Sequence, residues 1–163
     1  MITDTDHYAP GRGDALWAWK SFLRGHHPIL MDFGLIAGVH APDRAFEPAR
    51  YTMGDTLRFA KRMNLIAMEP RGDLSSTGYA LASPGEEYLV LDPSDTSGSF
   101  AVHMEPGTYA TEWFGIDGRD TIDGGQTIVQ KPGSTRFSLP SGAPGPTVLY
   151  LSNVERLTSL GRK

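Results

Sequence analysis

Two carboxylic acids and an imidazole stand within four residues near the start of the chain, Asp4-Thr5-Asp6-His7. Groups of these types act as proton donors, proton acceptors and nucleophiles when their surroundings tune them toward neutrality. A segment that carries them has to be held by regular structure. An amphipathic stretch follows, Asp14 to His26, and then a short apolar run, Pro28 to Asp32. Leu16, Trp19 and Leu23 recur at helical spacing, with Trp17 and Phe22 widening the stripe. Asp14 predicts the N-cap of this helix, and Gly25 lies near its end. Ile29-Leu30-Met31 reads as a buried strand, from its length and the proline before it. The order is therefore strand end, helix, strand, with the acidic cluster just past the first strand. A chain that opens in this way is expected to be the later part of something longer.

Composition bounds the alternatives. The 163 residues suffice for one ordinary domain or two small ones. Net charge is -4, which argues against nucleic acid or an anionic membrane as main partner, since both need clustered Lys and Arg. The chain has no cysteine, so disulfides and thiolate metal sites are excluded. No apolar run approaches the roughly 20 residues that span a bilayer. The localisation is not legible from these features.

The chain changes character near Glu69. Residues 1–68 hold Trp17, Trp19, four of the five histidines and both helical patterns, with eight basic against seven acidic residues. Residues 69–163 hold seven basic against twelve acidic residues and read as short strands between turns. In the first part, Phe33 to Arg50 has the glycines and prolines of a long loop. Thr52-Met53-Gly54-Asp55 has the form of a capping box, and Met53, Leu57, Ala60 and Met63 would be the apolar face of the helix it opens. In the second part, Gly78–Ala82 and Glu87–Leu91 flank Ser83-Pro84-Gly85-Glu86, a type II turn signal. Phe100, Val102 and Met104 alternate with small or polar residues, as do Tyr109, Thr111 and Trp113. Short strands at 127–129, 136–139 and 148–151 complete an antiparallel sandwich pattern. The fold class is α+β.

Several of these segments resemble a known family. Asp4-Thr5-Asp6-His7, Trp19-Lys20-Ser21-Phe22-Leu23-Arg24-Gly25 and Pro28-Ile29-Leu30-Met31-Asp32 resemble the end of a cellulase-like (β/α)8 barrel of glycoside hydrolases. Thr56-Leu57-Arg58-Phe59-Ala60 with Arg62-Met63-Asn64-Leu65 looks like its last helix. Pro70-Arg71-Gly72-Asp73-Leu74-Ser75-Ser76-Thr77-Gly78-Tyr79 resembles the lead-in to the small β-domain, labelled collagen-binding, that follows such barrels. The resemblance implies an incomplete barrel end over residues 1–68 and an antiparallel β-sandwich over residues 69–163. A complete barrel of this kind takes about 250 residues, so the chain is expected to be a C-terminal fragment, catalytically inactive alone.

The resemblance also assigns roles. Asp4, Asp6 and His7 become the catalytic candidates, on the C-terminal face where barrel enzymes place their sites. Glycoside hydrolysis usually needs two carboxyl groups flanking the scissile bond. Barrels of the cellulase type put a glutamate at the end of strand 7, and here the acids are aspartates, which leaves the nucleophile unassigned. Asp32, after the second strand, could meet sugar hydroxyls or cap the following loop. Trp17 is a sugar-stacking candidate, although its helical spacing favours core packing for it and Trp19. The implied partner is an oligo- or polysaccharide of plant or microbial origin, with an exported parent protein and no cofactor or metal. His26 and His27, at a helix end, make a poor chelate without a third ligand. Arg71-Gly72-Asp73 spells an integrin-recognition tripeptide, for which a turn with a structural Arg71 is the expected role. Trp113 and Tyr109 share one side of a strand, as core residues would. The remaining partner expectation is self-association, through exposed strand edges and helix faces of the incomplete barrel. The competing reading is a non-catalytic carbohydrate- or protein-binding or structural β-module.

Overall fold

A computed structural model describes residues 2–4, 14–32, 44–94, 98–140 and 145–155. The chain divides into two compact units, Met1–Met63 and Asn64–Lys163. It is mixed α+β, with few helices and mostly antiparallel sheet.

The first unit opens with a strand, helix, strand sequence: β1 (Ile2–Asp4), α1 (Ala15–Leu23) and β2 (His27–Ile29). The two strands are parallel, with Ile2 opposite His27 and Asp4 opposite Ile29. Asp14 caps α1, accepting a hydrogen bond from the Trp17 backbone N–H at 2.7 Å. The other end closes on Gly25, at φ 71 in the left-handed region. Gly25 N donates to Phe22 O and His26 N to Ser21 O, the two bonds of a Schellman motif.

Two expectations need correcting here. The second strand lies earlier than Ile29-Leu30-Met31 and is not buried: Ile29 is 43% exposed, and Leu30 and Met31 are half-buried. Among the described residues its sheet has two strands, so β2 lacks the flanking strands that would cover it. The second helix also starts sooner. A 3-10 turn, Arg44–Phe46, leads into α2 (Glu47–Arg62), with Pro48 in its first turn. Pro suits that place because its missing N–H would be unpaired there anyway. Thr52 and Asp55 are therefore inside the helix and buried, not a capping box. The Thr56 hydroxyl bonds back to Met53 O. The buried face of α2 is Ala49, Thr52, Asp55, Thr56 and Phe59, and Leu57, read as apolar core, is 54% exposed. Trp19 of α1 meets Phe59 of α2 edge-to-face, centroids 5.3 Å apart. The Arg62 guanidinium lies 4.1 Å from the centroid of that Phe59 ring.

Among the described residues the second unit holds eight strands. The larger sheet has the order β3 (Glu69–Pro70), β4 (Ala80–Ser83), β5 (Glu87–Asp92), β10 (Thr147–Asn153), β7 (Gly107–Gly115), β8 (Thr121–Val129), all antiparallel. The smaller pairs β6 (Ser99–Met104) with β9 (Gly133–Ser138). The β4–β5 hairpin turns on Pro84-Gly85, with Gly85 at φ 86 and Glu86 N bonded to Ser83 O at 2.9 Å. That is the type II turn expected of the sequence. One apolar cluster draws on both sheets: Tyr88 and Val90, Phe100 and Met104, Trp113, Phe137, Leu149 and Leu151 all belong to it. β8 runs six residues longer at its start than the sequence suggested. Gly124-Gly125 masks the strand, and Gly125 (φ 70) lies where the ladder shifts register opposite Ala110/Glu112.

Candidate functional site

The parallel pairing of β1 and β2 places two of the predicted acids at one edge. Asp4 is the last residue of β1, and Asp32 follows its partner Ile29 by three residues. Both stand where parallel strands end, the edge at which helix-connected parallel sheets gather ligand-binding groups. The α1 helix returns the chain between these strands, so its first turns, with Trp17, lie toward that same edge. Trp17 itself is half-buried. Asp4 is described by its backbone, and Asp6 and His7 lie outside the described residues.

Asp32 is 4% exposed and forms an ion pair with Arg50, at 2.5 Å. Arg50 sits in the first full turn of α2, its side chain 28% exposed. A carboxylate withdrawn from water needs such a charged partner. The pair ties the start of α2 to the segment that leaves β2. Sequence reasoning missed Arg50. It precedes the expected helix start and lies 18 residues from Asp32, so no local spacing couples them.

The other candidates resolve individually. His26 N closes the α1 terminus, and His27 opens β2. Among the described residues no group of three His, Cys, Asp or Glu is arranged to hold a metal ion, and no helix is long and apolar enough to cross a membrane. Trp113 is 4% exposed and Tyr109 fully buried, both in the apolar cluster. The Tyr109 hydroxyl donates to Glu105 O, and burial, with the neighbouring Tyr88, pushes its pKa far above the ordinary tyrosine value.

The Arg71-Gly72-Asp73 tripeptide is paired within itself. Arg71 Nε donates to Asp73 Oδ1 at 2.9 Å and Arg71 Nη2 to Oδ2 at 2.7 Å. The Arg71 hydrogen bonds hold the Asp73 carboxyl below the ordinary carboxylate value. Gly72 is required by packing, because a Cβ there would come within 2.5 Å of Gly78 O. A second buried carboxylate was also missed. Glu87, at the start of β5, is 3% exposed. It accepts from Asn64 N through Oε2 and from the Tyr150 hydroxyl through Oε1, each at 2.8 Å. A glutamate directly after a turn gives no sign in the sequence that it is buried.

The fold has counterparts among solved structures. One described as a glycoside hydrolase aligns with a TM-score of 0.62 at 13% identity, over 86% of this chain and 36% of its own. A glycoside hydrolase family 5 protein from Bacteroides vulgatus ATCC 8482 aligns at 0.63 and 14%, over 86% and 35%. The chain shares its fold with part of these glycoside hydrolases. It spans about a third of their length. At such low identity the likeness is one of fold alone. No family model matches the sequence, and neither does any curated protein.

Proposed function

We propose that this chain is the C-terminal part of a glycoside hydrolase-like protein acting on plant or microbial polysaccharide, and that it does not catalyse alone. In this reading residues 1–68 end a (β/α)8 barrel and residues 69–163 form a β-sandwich accessory domain. Asp4, Asp6 and His7 line one wall of the sugar site, with Asp32 and Trp17 beside them. The observation that carries the reading is the parallel β1–α1–β2 unit with Asp4 and Asp32 at the same strand edge. The fold likeness to glycoside hydrolases supports it. The apolar side chains left in water on this unit, Ile2 at 66% and Ile29 at 43%, suit strands that take further neighbours.

The Asp32–Arg50 pair bears on the roles within that site. A carboxylate already held by a guanidinium is a positioning group more readily than a nucleophile. Catalysis would then fall to the Asp4–His7 segment and to a second carboxylate from an earlier strand.

An assay of the 163-residue chain against aryl glycosides and polysaccharides tests the reading, with no turnover expected. Robust turnover that disappears in Asp4→Asn or Asp6→Asn would overturn the fragment interpretation. The reading frame upstream of Met1 supplies a second test: further βα units would support it, and a stop codon beside a ribosome-binding site would count against it.

A β-module without catalysis is the second reading, and the single shared core of the second unit favours giving it weight. With Tyr109 and Trp113 inside that core, the role we assign to the module is structural. Specific retention of the chain on a glycan array or on collagen, lost on truncating residues of the second unit, would replace that role with ligand binding.

A further inference from the structure

The chain contains two Asp-Gly steps, Asp117-Gly118 and Asp123-Gly124, and both belong to the β7–β8 hairpin. Their surroundings differ. Asp123 is in the ladder, opposite Glu112, and its Oδ1 accepts a hydrogen bond from Gly125 N at 2.8 Å. Gly124 packs against Thr111: a Cβ on it would come within 2.8 Å of Thr111 Cγ2. Asp117 and Gly118 lie in the turn between Gly115, the last residue of β7, and Thr121, the first of β8. Both are exposed. A Cβ on Gly145 would come within 2.9 Å of Asp117 Oδ2, so the carboxylate lies beside the Gly145 backbone. The next residue, Arg119, has φ 56, a left-handed conformation uncommon outside glycine.

We propose that Asp117 is a site of spontaneous isoaspartate formation, and that the fold protects Asp123 from the same reaction. The Gly118 backbone nitrogen attacks Asp117 Cγ. A new N–Cγ bond forms, the Cγ–OH bond breaks, and the amide hydrogen leaves with the hydroxyl as water. The product is a five-membered succinimide. Water then adds back to one of its two carbonyls. Addition at Cγ restores aspartate, and addition at the main-chain carbonyl leaves the chain running through the β-carbon. The net composition is unchanged and no co-reactant is consumed.

The reaction needs a following residue without a side chain, and a backbone free to turn its nitrogen toward Cγ. Asp117-Gly118 meets both conditions from its turn. Asp123-Gly124 meets the first, but Asp123 is held in register opposite Glu112 and its carboxylate accepts from Gly125 N, so turning Cγ toward Gly124 N means breaking that bond.

The test is incubation of the full chain at neutral pH and 37 °C, followed by isoaspartyl methyl transfer and tryptic mapping. Trypsin cuts after Arg119 and so puts the two sites on different peptides. IsoAsp is expected at position 117 in excess over position 123 by about tenfold or more, the ratio that modest ladder protection already provides. In strong denaturant the two sites should react at similar rates. Asp117→Glu, which would have to close a less favourable six-membered ring, should remove the first signal and leave the second. Equal formation at the two sites in the folded chain, preference for Asp123, or formation only after unfolding would each overturn the proposal.

Discussion

The two units bury their side chains in different ways. The second gathers aromatic and aliphatic residues from both of its sheets into one cluster, and its buried Glu87 is matched by Asn64 and Tyr150. The first leaves Ile2, Ile29, Tyr51 and Leu57 exposed, against Leu65, Ile66 and Ile128 in the second, although the first is described over far fewer residues. The buried face of its longer helix carries Thr52, Asp55 and Thr56. A sheet with one continuous core behind it closes on itself. The parallel pair β1–β2, two strands among the described residues, has no such core behind it, and parallel sheets are ordinarily covered on both faces. The difference teaches that, among the described residues, the second unit has a core of its own while the first exposes proportionally more of its apolar side chains.

Substitutions can break or sharpen this contrast. The largest effect is expected from Trp113→Ala, which empties the centre of the cluster shared with Phe100 and Phe137. A loss of about 3–5 kcal/mol is expected in the urea transition followed by far-UV circular dichroism. A loss below about 1 kcal/mol would show that the second unit's core is looser than its burial implies.

Arg50→Ala probes the first unit. It withdraws the guanidinium from a carboxylate that is 4% exposed. A loss of about 2 kcal/mol is expected, read from Trp17 and Trp19 fluorescence in a Trp113→Phe background. Adding Asp32→Asn should recover part of it, and simple additivity of the two changes would mean the pair is not coupled.

Asp14→Ala removes the α1 cap and should cost about 1 kcal/mol in the same measurement. An unchanged midpoint would mean that the helix is held by Trp19 and Phe59 packing alone.

The smallest effect belongs to Asp73. Its folded pKa is lowered from 3.8 by Arg71, so the contribution of this pair is present above that value and is lost as pH falls through the folded pKa. NMR titration should find Asp73 below the ordinary carboxylate range, and Arg71→Gln should return it there. Because both groups are at the surface, the global midpoint should barely move.

Much of this was legible wherever a feature is local. The Asp14 cap, the Gly25 terminus and the Pro84-Gly85 turn are each decided by a few adjacent residues, and all three stand as read. The alternation of Phe100, Val102 and Met104 likewise marks the buried side of β6. What misled is what depends on distant partners. Ile29-Leu30-Met31 looks buried by composition, yet burial in a sheet is set by neighbouring strands. Thr52 resembles a cap until Pro48 is given its due as a helix starter. At the candidate site the acids were visible, but the Arg50 that holds Asp32 was not, since long-range ion pairs leave no spacing to detect.

The apolar side chains that the folded first unit leaves in water have a calorimetric consequence. Unfolding raises heat capacity in proportion to the apolar surface that is newly wetted. Ile2, Ile29, Tyr51 and Leu57 are already partly wet, so melting the first unit should release less heat-capacity change per residue than melting the second. Its stability should accordingly vary gently with temperature, with a broad, low maximum, while the β unit, which exposes fewer large apolar side chains per described residue, follows a more sharply curved dome.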